Sequence, residues 1–288
     1  MTDAQPNLHR RRLGLELRAL RKATGMSLTE AAERLCLYGG PGLSKIENGK
    51  QRVPGIALAG FFEVYGLTDK ARIEKIRKLT SLANSSKRTT LLDQYRQTVP
   101  DPFAEYLHLE ELASKSETFT WTVPGLLQTP DYARAIVERG RQWRSTREIN
   151  NFVELRMARQ EALSREEPLH LWSVLDESAL WREVGGKQVM KAQLEYVLQV
   201  TEEHKHVELQ ILPFTHGSHA GFDGPFHMLH FPVGPPVVVV DAMTTSLYLE
   251  EDSDVGRYEM AFSYLRGEAL STEASQRHIR DLIKDRYT

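Results

Sequence analysis

The sequence is poor in residues that cross-link a chain or anchor it in a membrane. Cys36 is its single cysteine among 288 residues, so no disulfide can form within the chain, and that usage is typical of a reducing compartment. The longest aliphatic run, Val237 to Val240, is far shorter than the roughly 20 apolar residues of a transmembrane helix. The opening residues MTDAQPNLHRRR lack the apolar stretch of a signal peptide. We therefore expect a cytoplasmic protein without a membrane partner.

Motifs for catalysis or for holding a cofactor are also missing. The sequence contains no H-E-x-x-H, C-x-x-C, G-x-S-x-G or G-x-G-x-x-G, and Gly185-Gly186-Lys187 lacks the other residues of a phosphate-binding loop. His227 and His230 form an H-x-x-H pair that would suit a metal sensor, but on a strand their side chains would point to opposite faces. We therefore expect no enzymatic activity, no cofactor and no metal site.

Charge separates a head (residues 1–83) from a body (residues 103–288). Residues 1–80 contain 15 Lys and Arg against 8 Asp and Glu, whereas the rest of the chain contains 22 against 31. A basic head on an acidic body is the arrangement expected when only the head meets phosphate groups. The head is therefore the candidate for nucleic-acid binding.

Hydrophobic spacing predicts that the head is all-α. Leu13, Leu17 and Leu20 recur on one stripe and predict a first helix over about residues 8–22. Ser27 and Glu30 form the capping-box pattern that begins a second helix, whose small residues allow a neighbouring helix to approach closely. In this position Cys36 is expected to be a small core or boundary residue.

Three further helices follow at helical spacing. The third runs over about residues 43–49 with Leu43 and Ile46 facing inward, and the fourth follows Pro54 and includes Ile56. The fifth covers about residues 69–83, with Thr68 as its cap. Five short helices in about 75 residues predict a compact helical domain.

At this point the head resembles a known family. The stretches LGLELRALRKATGMSLTEAAERL and LSKIENGKQRVP are similar to the Cro/C1-type helix-turn-helix domain of the xenobiotic-response-element (XRE) family. That resemblance implies a third helix in the DNA major groove, with the second helix packed across it. By position it implies the following DNA-contacting residues: Thr29, Gly42, Ser44, Lys45, Asn48, Lys50, Gln51 and Arg52.

The entry to the third helix departs from the family pattern. Residues Gly39-Gly-Pro-Gly42 stand where polar base-reading residues are usual, and the segment is one residue longer. Because glycine has no side chain, base readout falls on few residues. The segment is interpreted as a longer turn. The alternatives are that the backbone approaches DNA closely, that DNA specificity is reduced, or that a partner supplies the specificity.

Beyond a predicted junction at residues 84–102, the body mixes helices and strands. It lacks regular βαβ repetition, which favours α+β over a doubly wound sheet. The predicted strands are rich in β-branched and aromatic residues: Thr118–Val123, His170–Leu175, Val207–Leu212, Phe226–Phe231, Val237–Asp241 and Leu247–Glu250. The predicted helices are Tyr106–Ser114, Pro130–Arg139, Arg147–Leu163, Asp176–Trp181, Lys187–Glu203, Asp254–Leu270 and Ser271–Arg286.

Two groups of aromatic residues in the body have more than one interpretation. Phe119, Trp121 and Tyr132 either belong to the core or line a small-molecule pocket. The C-terminal helices contain residues that suit either a dimer interface or the core: Tyr258, Phe262, Tyr264 and Leu265.

The body also resembles a family. VPGLLQTPDYARAIV, LDESALWREVGG, VELQILPFTHGSHAGFDGPFHMLHF and SLYLEEDSDVGRYEMAFSYLRGEALS look like the C-terminal domain of actinobacterial XRE regulators of the Scr1 or WhiJ type. That resemblance implies a repressor of development or secondary metabolism that acts on double-stranded DNA with a small partner protein, encoded nearby. One head reads a half-site, so a homodimer is expected. The alternatives are an antitoxin-like interaction module that binds DNA weakly, and a ligand-sensing repressor.

Overall fold

The chain divides into two compact units, Met1–Lys87 and Arg88–Thr288. A computed structural model describes residues 8–84, 101–140, 145–243 and 245–287. The junction predicted over residues 84–102 therefore falls largely outside the described residues.

The described part of the head folds into five α-helices around one core. Leu13, Leu17 and Leu20 are all buried, which confirms the predicted stripe of the first helix. They pack with small and aromatic residues of the other helices in a single hydrophobic cluster. The helices are α1 (Leu8–Ala23), α2 (Leu28–Arg34), α3 (Gly39–Glu47), α4 (Leu58–Val64) and α5 (Lys70–Asn84), with a 3-10 turn at Gly55–Ala57 before α4.

Side-chain caps fix two of the helix starts. The backbone N–H of Glu30 donates to Ser27 Oγ over 3.1 Å, so the predicted cap of α2 is confirmed. The Glu30 carboxylate is paired with Arg34 one turn later at 2.9 Å. The cap predicted at Thr68 is wrong by one residue, because Asp69 Oδ1 accepts from the N–H of Ala71.

Two other expectations for the head need correction. Ile56 is not part of an apolar helix but 92% exposed in the 3-10 turn. Cys36 is exposed rather than a core or boundary residue, because it follows the end of α2 in the left-handed conformation, with φ of 54°.

The described residues of the body form a sheet of six strands in the order β3-β2-β1-β4-β5-β6. β1, β2 and β3 are parallel neighbours, and β4, β5 and β6 continue the sheet as antiparallel strands beside β1. The strands are β1 (Lys115–Thr120), β2 (His170–Asp176), β3 (Val207–Leu212), β4 (Phe226–His230), β5 (Val237–Asp241) and β6 (Ser246–Leu249).

Helices connect these strands and cover the sheet. Thr129 caps α7 and Pro130 occupies its first turn, as predicted. Ser145 and Glu148 form a complete capping box at α8. The helices are α6 (Asp101–Leu112), α7 (Pro130–Arg139), α8 (Thr146–Ala158), α9 (Ser178–Trp181), α10 (Lys187–Glu203), α11 (Asp252–Glu268) and α12 (Thr272–Arg286), with 3-10 turns at Gly125–Leu127, Arg159–Leu163 and Phe214–His216.

One face of the sheet belongs to the main core of the body. Phe119 of β1, Val174 of β2 and Phe226 of β4 share this face and pack against Phe262 and Leu265 of α11. Alternate residues point away from α11, because successive side chains of a strand lie on opposite faces. The sheet therefore has an apolar face under α11 and a second face with its own surroundings.

The fold class is confirmed as a helical head followed by an α+β body. The predicted bounds of β3, β5, α7 and α10 coincide with the observed ones. β1 begins three residues earlier than expected, and the segment from residue 121 to 123 leaves the sheet. Among the described residues, no helix is long and apolar enough to cross a membrane.

Candidate nucleic-acid interface

The third helix has one buried face and one open face. Gly40, Leu43, Ile46 and Glu47 are buried against the rest of the head. Pro41, Lys45 and Asn48 are exposed, at the i, i+4 and i+7 positions of a single stripe. Space for a Cβ at Gly42 is open toward the other described elements. The helix therefore presents a stripe of mixed chemistry outward.

The interpretation of Gly39-Gly-Pro-Gly42 as a longer turn is wrong, because these residues form the first turn of α3. Gly39 takes φ of +70°, a conformation that glycine adopts without strain. Pro41 has no N–H, which costs nothing in a first turn where backbone N–H groups lack helical partners. A Cβ at Gly40 would lie 3.3 Å from Thr29 Oγ1, so the glycine allows α2 and α3 to approach closely.

Two glycines bring α1 directly against the end of α3. A Cβ at Gly14 would lie 2.7 Å from the carbonyl oxygen of Ile46 and closer still to that of Glu47. A Cβ at Gly49 would lie 2.8 Å from the backbone nitrogen of Arg11, and Gly49 also has φ of +69°. Because these contacts involve backbone, α3 has a fixed distance from α1.

A buried ion pair holds the same junction. The guanidinium of Arg21 donates to both carboxylate oxygens of Glu47, over 2.6 and 2.9 Å, and Arg18 Nε donates to it over 3.3 Å. The hydrogen bonds to Glu47 raise the pKa of Arg21, although burial opposes them. The sequence interpretation missed this role for Glu47, which lies within the quoted LSKIENG motif.

The predicted DNA-contacting residues of α2 and α3 differ in their solvent exposure. Thr29 and Lys45 are exposed, and Ser44 is partly buried. Asn48 is exposed, and its Nδ2 donates to the carbonyl oxygen of Ser44 over 2.8 Å and to its Oγ over 3.2 Å. Ser44 and Asn48 therefore form one hydrogen-bonded unit beside Lys45.

The loop after α3 brings the remaining predicted residues together. Lys50 N donates to the carbonyl oxygen of Lys45 over 2.8 Å, which closes the helix end around Gly49. Lys50, Gln51 and Arg52 are all exposed. Burial lowers the pKa of Arg10 in α1, and the nearby charge of Arg52 lowers it further. The basic loop thus lies next to α1, an adjacency that sequence spacing does not reveal.

The candidate pocket and interface residues of the body are divided between the core and the surface. Phe119 and Tyr132 are fully buried in the core, and burial raises the pKa of Tyr132 to about 12. Trp121 is 44% exposed and lines a cavity. Of the predicted interface residues, Phe262 and Leu265 are in the core, Tyr258 packs against it, and Tyr264 is 60% exposed.

The two histidines of the H-x-x-H pair have different surroundings. His230 Nε2 lies 2.7 Å from a Glu117 carboxylate oxygen, whereas His227, on the opposite face of β4, contacts the ring of Tyr106. In the part of the chain that the structure describes, no group of three or more His, Cys, Asp or Glu side chains could hold a metal ion.

Comparisons with known proteins agree with this division. Residues 12–74 match a family model described as a helix-turn-helix domain, which indicates a DNA-binding regulator. Residues 103–281 match a family described as domain of unknown function (DUF5753). Because this second match covers more than half of the chain, the chain belongs to the DUF5753 family. Comparisons with curated proteins and with solved structures found no match.

Proposed function

We propose that the protein is a cytoplasmic transcriptional repressor of the Scr1 or WhiJ type, which controls development or secondary metabolism. The observation that supports this proposal is the open stripe of α3, next to a basic loop, in a head that matches a helix-turn-helix domain. In such domains the exposed side of this helix enters the major groove. The proposed DNA-binding part is residues 1–83, joined by residues 84–102 to a partner-binding part, residues 103–288.

Within the head we propose a division of labour between helix and loop. Lys45 and the Ser44–Asn48 unit would read base edges, because they project from the open side of α3. Thr29, Lys50, Gln51 and Arg52 would contact phosphates, and Gly42 would allow the backbone to approach the groove. The few side chains on the first turn of α3 would limit direct readout, since glycine offers bases no donor or acceptor beyond its backbone.

Replacement of single cations tests this placement. Arg52→Ala is expected to weaken binding to the chain's own upstream DNA and to reduce the slope of log affinity against log salt by about one unit, because one phosphate contact is lost. Lys45→Ala is expected to cost about 1–3 kcal/mol on that DNA and less on unrelated DNA, as expected for a base contact. Fluorescence anisotropy over a range of salt concentrations measures both.

Lys205→Ala, which removes an exposed cation from the body, is the matched control and should leave affinity and slope unchanged. Unchanged binding by both head variants would show that the DNA-contacting face lies elsewhere.

The same titration gives the stoichiometry, for which we expect two chains per duplex. Met260 and Tyr264 are 62% and 60% exposed one turn apart on α11 and are our candidate dimer contact.

A second surface, on the body, supports the proposed small partner protein. The aromatic surface consists of Trp121, Trp181, Phe214 and Phe222, which are between 41% and 65% exposed. The first three follow β1, β2 and β3 at the carboxyl ends of these parallel strands. Exposed aromatic residues are enriched at the centres of protein interfaces.

Buried contacts fix the aromatic surface in place. Glu177 accepts from the indole nitrogen of Trp181 over 3.2 Å and from the backbone N–H of Phe214 over 2.7 Å. The rings of these two aromatics lie 6.5 Å apart. Phe222 stacks on His219, with ring centroids 4.4 Å apart. Rings held in this way lose little conformational freedom when a partner binds.

Serine variants test whether a partner docks here. With the small protein encoded beside this gene, Trp181→Ser and Phe222→Ser are each expected to weaken the complex tenfold or more, as interface hot spots do. Leu247→Ser changes an apolar side chain that is 54% exposed on β6, and it should have no effect. Titration calorimetry on the full chain measures all three. Wild-type affinity in both aromatic variants, or equal loss in Leu247→Ser, would contradict this docking site.

The antitoxin-like interaction module is the second candidate function. The glycine-rich first turn of α3 favours it, because it leaves few side chains for base readout. Under this alternative the anisotropy signal disappears when nonspecific competitor DNA is added, while the complex with the small protein persists. Competitor-resistant binding supports the repressor instead.

A further inference from the structure

A cavity of about 310 Å³ lies on the face of the body sheet that α11 does not cover. Alternate residues of β1 line it, namely Ser116, Thr118 and Thr120. Its other walls come from neighbouring strands, from α6, from the segment after β1 and from the end of α8. These walls include Leu171, His227, Asp241, Phe103, Tyr106 and Trp121.

The strand that lines this cavity is polar on the cavity side. Ser116, Thr118 and Thr120 are buried hydroxyl residues, whereas Phe119 between them points into the core. Thr118 Oγ1 donates to Ser173 Oγ over 3.0 Å, and Thr120 Oγ1 donates to the carbonyl oxygen of Thr122 over 2.8 Å. Burying hydroxyls is costly unless they find partners. A hydroxyl-lined wall therefore suits a polar occupant better than a second apolar layer.

Two guanidinium groups converge at the cavity beside a single buried carboxylate. A Cβ at Gly125 would lie 3.4 Å from Arg159 Nη1 and 3.6 Å from Arg156 Nη1. Glu110 accepts from Arg159 Nε and Nη2 over 2.8 and 2.7 Å, and both side chains of this pair are buried. Glu110 therefore pairs with Arg159 and not with Arg156, and the negative charge of Asp241, another residue of the cavity wall, also raises the pKa of Arg159.

Among the described residues, no carboxylate forms an ion pair or a hydrogen bond with Arg156. Its Nη1 donates to the amide oxygen of Gln128 over 2.6 Å. Its Nε is buried without a hydrogen-bond partner among the described residues. Burial and, secondly, the charge of Arg159 lower the pKa of Arg156 to about 10. An anion bound beside Arg156 would stabilise the charged form of its guanidinium.

The surrounding walls are aromatic. Phe103 and Tyr106 stack with centroids 5.8 Å apart, and Trp121 is partly exposed where it lines the cavity. His227 contacts Tyr106, and its Nδ1 is buried without a partner in the described part of the chain. Burial lowers the pKa of His227, so the ring is neutral at neutral pH. The cavity thus combines the guanidinium of Arg156, which is not paired with a carboxylate among the described residues, with the Asp241 carboxylate, flat apolar walls and scattered hydrogen-bonding groups.

We propose that this cavity binds a small organic carboxylate with a flat apolar body, and that Arg156 pairs with the carboxylate. A planar guanidinium matches the two oxygens of a carboxylate. The volume is at the lower end of the range for small-molecule sites, roughly 300–1,000 Å³. Neither the DUF5753 match nor the DNA-binding proposal specifies such a ligand. A carboxylate bound in this cavity would act as an effector of the body.

Benzoate and its neutral counterpart benzamide form the test pair, measured by titration calorimetry on the full chain without DNA. Benzoate is expected to bind saturably with a dissociation constant of roughly millimolar order, as for other probes of so few atoms. Benzamide should bind at least tenfold more weakly. Arg156→Met should weaken benzoate binding at least tenfold, Arg156→Lys should restore part of it, and Arg147→Met, an exposed site at the start of α8, should match wild type.

Three results would overturn the proposal. The first is that benzoate does not bind saturably, and the second is that benzamide binds as well as benzoate. The third is that inorganic phosphate displaces benzoate at equal concentration, which would mean that the cavity is an unspecific anion site. Benzoate binding that Arg156→Met leaves intact would also overturn the role of Arg156. Because no DNA is present, each of these failures leaves the DNA-binding proposal as it stands.

Discussion

Gly14→Ala is expected to destabilise the head by about 3 kcal/mol, the upper end of the usual cost of overpacking. The added methyl group would meet the backbone carbonyl of Glu47 and would lie 2.7 Å from the carbonyl oxygen of Ile46. Backbone cannot rotate away as a flexible side chain can, so α1 and α3 must separate. Separation would also strain the ion pair between Arg21 and Glu47, and DNA binding should fall with stability.

Gly60→Ala is the matched control, because Gly60 also lies inside a helix but has no atom within 4 Å of the added Cβ. Alanine favours helix over glycine, so this variant should gain about 0.5–1 kcal/mol. Chemical denaturation followed by circular dichroism gives the stabilities, and hydrogen exchange of α1 and α3 peptides locates the loss. A Gly14→Ala protein that is as stable as Gly60→Ala would contradict the close contact of α1 with α3.

The sequence was sufficient to predict the helices of the head, because their signals are local. Leucine spacing and the Ser27 cap each depend on residues within two turns of one another. The first turn of α3 was not predicted, since three glycines and a proline have poor intrinsic helix propensity. Tertiary contact reverses that preference, because Gly40 and Gly14 are required where helices meet. The function of Glu47 depends on Arg21, 26 residues away, and no local pattern reports it.

In the body, strand positions were predictable but strand order was not. Alternation and β-branched residues mark each strand separately, while the parallel pairing of β1 with β2 depends on the helices that connect them. The sequence could not separate the aromatic residue that lines the cavity, Trp121, from those in the core for a related reason. Phe119 and Trp121 are two residues apart and would share a face on a continuous strand, but β1 ends at Thr120. Arg156 and Arg159 meet beside Gly125 only in three dimensions.

Removal of the Glu110 carboxylate is expected to have a large effect on the stability of the body. Glu110→Gln should destabilise the body by about 3–5 kcal/mol, the usual cost of removing one partner of a buried ion pair. The loss would leave the buried guanidinium of Arg159 without its carboxylate partner, next to Arg156, which already has none among the described residues. Chemical denaturation followed by tryptophan fluorescence measures this loss, since all four tryptophans lie in the body. A cost below about 1 kcal/mol, typical of an exposed pair, would show that the pair is solvated.

Arg156→Met is expected to change stability in the opposite direction, although it alters the same group of charges beside the cavity. It eliminates a desolvated cation without a carboxylate partner and keeps most of the apolar stem, so the ligand-free body should gain about 1 kcal/mol. The gain is moderated by the lost hydrogen bond to Gln128. A destabilised Arg156→Met variant would mean that Arg156 is a structural residue. If the variant is more stable but no longer binds benzoate, the charge of Arg156 serves binding and lowers the stability of the body. Residues of binding sites often have such a cost in stability.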